Sequence, residues 1–252
     1  MVVDLRTRNR QSELMDDPAL DPVTHERALC GLRRINWWSR TDRVLWKAIV
    51  QGIQDINSDA PLTVLDIACG GGDLAIRLAR RAAARGIRIV VEGCDMSPVA
   101  IRSATSHAQA ARLANVRFTR CNVLQEPLPQ PCYDVVMCSL FLHHLDEGNA
   151  VKLLENMQSA ARQLVLVDDL RRSRIGYWLA RVGSRVLSGS TIVHVDGPMS
   201  VEAAFTLDEA RSLALKAGIR NVKIQPHWPQ RYLLTSVQNR DGASGPSSGT
   251  SR

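Results

Sequence analysis

The stretch Val64-Leu65-Asp66-Ile67-Ala68-Cys69-Gly70-Gly71-Gly72-Asp73 decides how the rest of the chain is read. Residues 62–68 form a short apolar run of strand length, and 73–85 carry helical spacing. Between them stand three glycines, which let backbone approach a ligand closely. The helix that follows would present unpaired N–H groups at the same place. A tight turn that merely needs glycine would look the same, so this stretch alone does not settle a function.

Working outward, the alternation continues. Residues 87–94 read as a second strand, ending in Glu92-Gly93-Cys94-Asp95-Met96-Ser97. Ser97-Pro98 then gives an N-cap with proline at the first helical position, for a helix to about 113. Residues 116–121 and 133–140 read as strands, 146–161 as a helix, 164–168 as a strand and 173–187 as a helix. Thr206-x-x-Glu209 is a capping box opening a helix that stops at Gly218. Residues 222–225 and 232–237 are the last strands, joined by too few residues for a crossover helix and hence antiparallel. This order predicts an α/β fold, a doubly wound and mostly parallel seven-stranded Rossmann-like sheet. Ligands of such sheets bind beyond the carboxyl ends of the strands, near the switch in strand order.

Upstream, residues 1–24 are polar, carry Asp16-Asp17-Pro18 and Asp21-Pro22, and read as a flexible arm. Residues 25–60 read as an N-terminal helical cap, with helical runs at 25–36 and 42–56 and Trp37 and Trp38 between them. The main domain is expected over 61–239, and the Gly-, Ser- and Pro-rich residues 240–252 as a disordered tail.

Composition narrows the class. The chain has 252 residues, 45% hydrophobic and 23% charged, which are ordinary globular values. No run of about 18 apolar residues occurs, so membrane insertion is not expected, and the first residues lack a signal-peptide core. The net charge of +7 comes largely from dispersed arginines. Arg77, Arg81, Arg85 and Arg88 recur at helical spacing and read as a solvated stripe rather than a nucleic-acid patch. None of the six cysteines forms a CxxC pair, and the histidine spacing completes no zinc site, so no metal is expected. Unpaired cysteines within apolar runs suit a reduced, cytoplasmic setting.

Two strand-end features belong together. Asp95, at the tip of the second strand, would face the same cleft as the glycines, and its two oxygens can accept both hydroxyls of a ribose. A nucleoside-bearing cofactor follows. Gly70-Gly71-Gly72-Asp73-Leu74-Ala75 formally satisfies a dinucleotide pattern, which keeps an NAD(P)-dependent oxidoreductase open. Asp66 disfavours it, because a pyrophosphate gains nothing from a carboxylate there, whereas an ammonium group does.

At these residues the chain resembles class I S-adenosylmethionine-dependent methyltransferases. Residues 64–73 are similar to the first motif of that family and Val91–Ser97 to its second. Tyr133-Asp134-Val135-Val136-Met137-Cys138-Ser139-Leu140-Phe141-Leu142-His143-His144-Leu145 resembles the fourth-strand motif of its small-molecule branch, including quinone-type methyltransferases. The resemblance implies S-adenosyl-L-methionine as cofactor. It places Asp66, Ala68 and the Gly70, Gly71, Gly72 turn at the methionine portion, and Asp95 at the ribose. It also places Met96 against the adenine, Asn122 and Val123 near the adenine amine, and Ser139 beside the sulfonium. Ala68 departs from the family, which usually has glycine there. The leader around Glu13–Pro18 and Ala28–Asn36 resembles that of bacterial methyltransferases linked to phenolic or polyketide-type products, a secondary-metabolic setting.

A phenolic acceptor has a pKa near about 10 and benefits from a base. His143 and His144, after the fourth strand, are candidates, as is His194 in Val193-His194-Val195-Asp196, read as a long connection over the cleft. Trp37, Trp38 and Trp46 offer apolar walls for a flat acceptor. Asp169, in the Asp168-Asp169 pair ending the fifth strand, can accept from an acceptor hydroxyl. The expected reaction is O-methylation of a small aromatic, phenolic or polyketide-like acceptor with histidine-assisted deprotonation. An RNA or protein methyltransferase is the alternative that the positive charge favours. Against base-amine methylation, Cys138-Ser139-Leu140-Phe141 replaces the Asn/Asp-Pro-Pro-aromatic run of those enzymes. A fold retained only as a binding module is the non-enzymatic alternative. Oligomeric state is left open.

Overall fold

The computed structural model describes residues 3–238 apart from 18, 55, 57, 58, 127 and 129–131; the tail expected at 240–252 lies outside the described residues. Seven strands form one sheet in the order β3-β2-β1-β4-β5-β7-β6. They are β1 (Leu62–Ile67), β2 (Ile89–Asp95), β3 (Val116–Arg120), β4 (Tyr133–Ser139), β5 (Ala161–Leu170), β6 (Val222–His227) and β7 (Arg231–Val237). The pairs among β1 to β5 are parallel, and β7 runs antiparallel to both β5 and β6, the pattern that the short β6–β7 link demands. Strand order reverses between β1 and β4, so the switch point lies at the tips that carry Ile67 and Ser139.

Alternation along β1 divides the core. Leu62 and Val64 pack with Leu45 and Ile49 of α2 (Thr41–Gly52) and Leu74 and Leu78 of α3 (Asp73–Ala83). Leu65 and Ile67 pack on the other face with Leu153 and Met157 of α5 (Glu147–Ala160) and Leu213 of α8 (Leu207–Lys216). Covering both faces with helices is what a near-continuous apolar strand requires. The remaining helices are α1 (Pro22–Ser39), α4 (Pro98–Ala110), α6 (Arg174–Leu187) and α7 (Thr191–Ala203). The expected caps are present: Ser97 accepts from Ala100 N–H, and Thr206 and Glu209 make a reciprocal capping box.

Several elements differ from the expectation. α1 starts at Pro22, because Asp21 caps it by accepting from Thr24 N–H, and it continues through Trp37 and Trp38. β5 starts at Ala161, which pairs with Tyr133 and extends the strand upstream of its apolar run. The segment expected to connect over the cleft at His194 is helix α7, with Pro198 inside it.

Residues 3–17, expected as an arm, lie against the body. Arg8 Nη2 donates to the carbonyls of His143 and Leu145 at 2.7 Å each, and its guanidinium sits 3.8 Å above the Phe205 ring. Leu14 and Met15 N–H groups donate to the Asp196 carboxylate at 3.0 Å. This segment is a strap from α7 to the tip of β4.

One glycine holds the switch point closed. Gly72 has φ +73°, and a Cβ there would fall 2.5 Å from Phe118 Cζ and 2.8 Å from Ala104 Cβ. Gly72→Ala combines a left-handed alanine with overpacking, terms of about 1–2 and 1–3 kcal/mol. Urea denaturation should show a loss of at least about 2 kcal/mol; a change below about 0.5 kcal/mol would mean that the turn is far looser than this packing.

Candidate functional site

The β1–α3 turn, the tip of β4 and α1 enclose a hollow of about 100 Å³. Its walls include Asp66, Ala68, Gly70, Gly71, Ser139 and Leu140, with Leu29, Leu32 and Asn36 of α1 as its roof. Backbone strain gathers here. Ala68 and Leu140 both adopt left-handed φ, +53° and +55°, a conformation costing roughly 1–2 kcal/mol for a residue with a side chain. Such strain persists only where surrounding structure enforces it, and it clusters at functional sites.

The two strand-end motifs are joined directly. Asp95 Oδ2 accepts from Gly70 N–H at 2.9 Å, and Oδ1 from Ser97 N–H at 2.9 Å. Each oxygen keeps lone-pair capacity for a further donor. Burial raises the Asp95 carboxyl, opposed by these two N–H groups. Met96 beside it is 64% exposed, so the cleft is open at the tip of β2 while the Asp66 side is roofed by α1. Asn122 uses Oδ1 to accept from Leu124 N–H at 3.2 Å, and Val123 is buried, its carbonyl accepting from Asn156.

Two acids at the hollow each keep one oxygen without a partner among the described residues. Asp66 is 1% exposed, and its Oδ2 has no hydrogen-bond partner among the described residues, nor has Oδ2 of Asp73. Burial pushes the Asp66 carboxyl well above the usual range, reinforced by Asp73 and Asp95. Burial also raises Asp73, with Arg77 opposing. A buried carboxylate is costly without a cationic or donor partner, and the hollow is where that partner would enter.

Ser139 donates to Asp168 Oδ2 at 2.9 Å. Asp168 is fully buried and also binds His227 Nε2 at 2.6 Å and Arg231 Nη1 at 3.2 Å. Burial would raise Asp168, but His227 and Arg231 hold it below the usual carboxylate range. Arg231 ties this network to the roof, donating to Thr41 Oγ1 and Asn36 Oδ1.

The histidines separate. His143 is buried; Asp169 Oδ1 lies 2.6 Å from its Nδ1, and Glu13 Oε1 lies 3.6 Å from its Nε2. Burial would lower its pKa, but Asp169 and Glu13 push it up to about 10, so the ring holds a proton and is not a free base. His144 has Nδ1 2.8 Å from Asp16 Oδ2 and Nε2 3.7 Å from Glu13 Oε2. Burial would raise Glu13, but the two rings and the Ser200 hydroxyl bring it down to about 2. His194 is apart from the hollow: its Nε2 hydrogen-bonds the Ser188 carbonyl at 2.7 Å between α6 and α7. Asp169 is 1% exposed and accepts from His143 N–H, His143 Nδ1 and Leu170 N–H, so it positions His143 and does not line the hollow.

Trp37 and Trp38 line a different, open groove with Trp228, Arg40, Arg43 and Arg80; the Trp38 and Trp228 rings are 5.1 Å apart. Asp42 and Arg77 form a wall common to groove and hollow. Trp46, expected as a possible cleft wall, is 4% exposed in the core. Sequence reasoning missed Glu13, Asn36, Asp73 and the Asp168–His227–Arg231 network. Arg77 was legible only as part of a stripe.

With this geometry in view, residues 64–163 match the family model described as a methyltransferase domain. The matched residues run from β1 into the start of β5 and include the glycine turn, Asp95 and Ser139. A ubiquinone biosynthesis O-methyltransferase of Albidiferax ferrireducens is 33% identical over 123 residues, covering 48% of this chain and 46% of the relative. A 2-phytyl-1,4-naphtoquinone methyltransferase of Nostoc sp. is 30% identical over 113 residues, covering 44% and 47%. The chain thus spans about half the length of these curated relatives. Among solved structures, the plantazolicin methyltransferase BpumL in complex with SAH superposes with a TM-score of 0.63 at 16% identity, covering 89% of this chain and 92% of that one.

The pKa of Asp66 carries a sign that can be measured. A carboxyl raised in the folded state binds its proton more tightly there than in the unfolded chain. Its contribution is full below the unfolded value of about 3.9 and is lost as pH rises toward the folded value. Asp66→Asn should therefore make the ligand-free protein more stable than the parent at pH 7, with the gain shrinking toward pH 4. Thermal melts across that range check it; a variant less stable at pH 7 would show that the carboxylate has a partner.

Proposed function

We propose that the protein transfers a methyl group from S-adenosylmethionine to an oxygen of a small aromatic acceptor of phenol or quinol type. The observation that carries this reading is the unpartnered, buried Asp66 in a hollow bounded by the glycine turn and Ser139. That hollow suits an ammonium-bearing amino acid and would repel a pyrophosphate. The similarity to a ubiquinone biosynthesis O-methyltransferase and a 2-phytyl-1,4-naphtoquinone methyltransferase supports the acceptor class.

In this reading Asp66 receives the ammonium group, with Arg77 and Asn36 at the hollow's other wall for the carboxylate. Asp95 accepts from the ribose hydroxyls, and Met96, Asn122 and Val123 border the adenine. The cofactor supplies an electrophilic methyl on a sulfonium, so the protein's task is alignment and exclusion of water. α1 and the strap provide the exclusion. Ser139, with its hydrogen committed to Asp168, turns lone pairs toward the reacting end. Deprotonation of the acceptor falls to the Glu13–His143–His144 cluster that follows β4, acting as a unit in place of a free His143 base. Trp37 and Trp38 border the approach of a flat acceptor.

Two measurements test this. Asp95→Ala removes a charged acceptor worth about 1.5–3 kcal/mol, so equilibrium dialysis should show S-adenosylhomocysteine binding weakened at least about tenfold, with the far-UV circular dichroism of the parent. Undiminished affinity would refute the ribose assignment. Turnover of a catechol should drop by about a hundredfold or more in His144→Ala, the usual size of a proton-transfer contribution, and stay near parental in His194→Ala. The reverse ranking would move the chemistry to α7.

A further inference from the structure

Glu13, His143 and His144 come from the strap and from the 3-10 turn Leu142–His144, and their nearest ligand atoms all lie within 4.8 Å of one another. His143 Nδ1 is held by Asp169 at 2.6 Å and His144 Nδ1 by Asp16 at 2.8 Å. A carboxylate on Nδ1 fixes a hydrogen there and leaves Nε2 as the end of each ring that can turn to a cation. Both Nε2 atoms turn to the two oxygens of a single carboxylate, Glu13, whose Oε1 is also bound by the Ser200 hydroxyl. Three possible ligand atoms therefore converge, and a cation bound there would take the place of the extra proton on His143.

The spacing says what kind of cation fits. A shared proton draws nitrogen and oxygen to about 2.7–3.2 Å. Here the separations are 3.6 and 3.7 Å. Two ligands on one tetrahedral zinc, with bonds of about 2.0–2.1 Å, stand about 3.4 Å apart. The outer shell is that of a metal centre as well, since ligating imidazoles commonly donate their other N–H to a carboxylate.

We propose that Glu13, His143 and His144 form a divalent-cation site of the zinc type, with Asp169 and Asp16 orienting the two imidazoles and one coordination position left for a water or an acceptor hydroxyl. Imidazole and carboxylate donors select a borderline first-row cation over calcium or magnesium. Because Glu13 lies on the strap, the ion would also clamp residues 13–16 to the tip of β4. This site does not rest on the acceptor or cofactor assignment, and it replaces the expectation from sequence that no metal is bound.

The test uses the untagged full chain stripped with chelator and titrated with zinc chloride and with cobalt chloride. One equivalent should bind, and the cobalt form should show the visible absorption of a four- or five-coordinate site. Glu13→Gln, which keeps the size of the side chain, and His144→Ala should each abolish saturable uptake. Asp16→Asn should weaken it about ten- to a hundredfold, the usual effect of losing an orienting carboxylate. His194→Ala should bind like the parent. Zinc should also protect the bonds after Arg8 and Arg10 from trypsin in the parent and not in Glu13→Gln. Absence of saturable binding to the parent, or binding that survives both Glu13→Gln and His144→Ala, would overturn the proposal whether or not the protein methylates anything.

Discussion

A carboxylate at the tip of β1 lies under α1 with an oxygen that nothing among the described residues satisfies. Asp66 makes the fold incomplete at one point, and much of the surrounding structure follows from keeping that point open but dry. Gly72 brings α3 against Phe118, leaving the turn no room to collapse inward. Gly70 hands its N–H to Asp95, so the first two strand tips move as one. Ala68 and Leu140 carry the strain of the two chain reversals that frame the gap. The strain at Ala68 and Leu140 opposes folding at each residue by an amount comparable with one good hydrogen bond, and the apolar layers on both sheet faces offset it.

The N-terminal segments close the remaining side. α1 lays Leu29 and Leu32 over the hollow and reaches the deep network through Asn36, which Arg231 binds. The strap closes the next opening along, where Arg8 caps the carbonyls after β4 and Glu13 faces two histidines. Roof and strap together divide the strand tips into the Asp66 hollow and a histidine cluster, with Ser139 at the hollow's wall. In the proposed reaction an acceptor enters past one of these covers, so opening of α1 or the strap is a step of that reaction.

Much of this frame was legible in the sequence because it obeys local rules. The strand of residues 62–67 is a short apolar run ending in glycine, the Ser97-Pro98 start is an N-cap, and Thr206 with Glu209 is a capping box. Each depends on neighbours within a few residues. The errors came where a local signal was outvoted by packing. Gly197-Pro198 reads as a breaker, yet α7 passes through it, at the cost of the hydrogen bond that the His194 carbonyl would receive in an unbroken helix. Trp37 and Trp38 looked like an interhelical link but complete the last turn of α1. What could not be read at all was long-range: Glu13 meets His143 across 130 residues of chain, and Asp168 meets Arg231 across 63. No periodicity records those meetings, so Asp169 was taken for an acceptor contact when its partner is His143.

The central claim, that the strand tips receive an adenosine bearing a cationic sulfur end, is tested most directly by calorimetry of the unmodified protein against two cofactors. S-adenosylhomocysteine should bind with one-to-one stoichiometry and NADH should give no saturable heat. Binding of NADH with none of S-adenosylhomocysteine would contradict the account at its root.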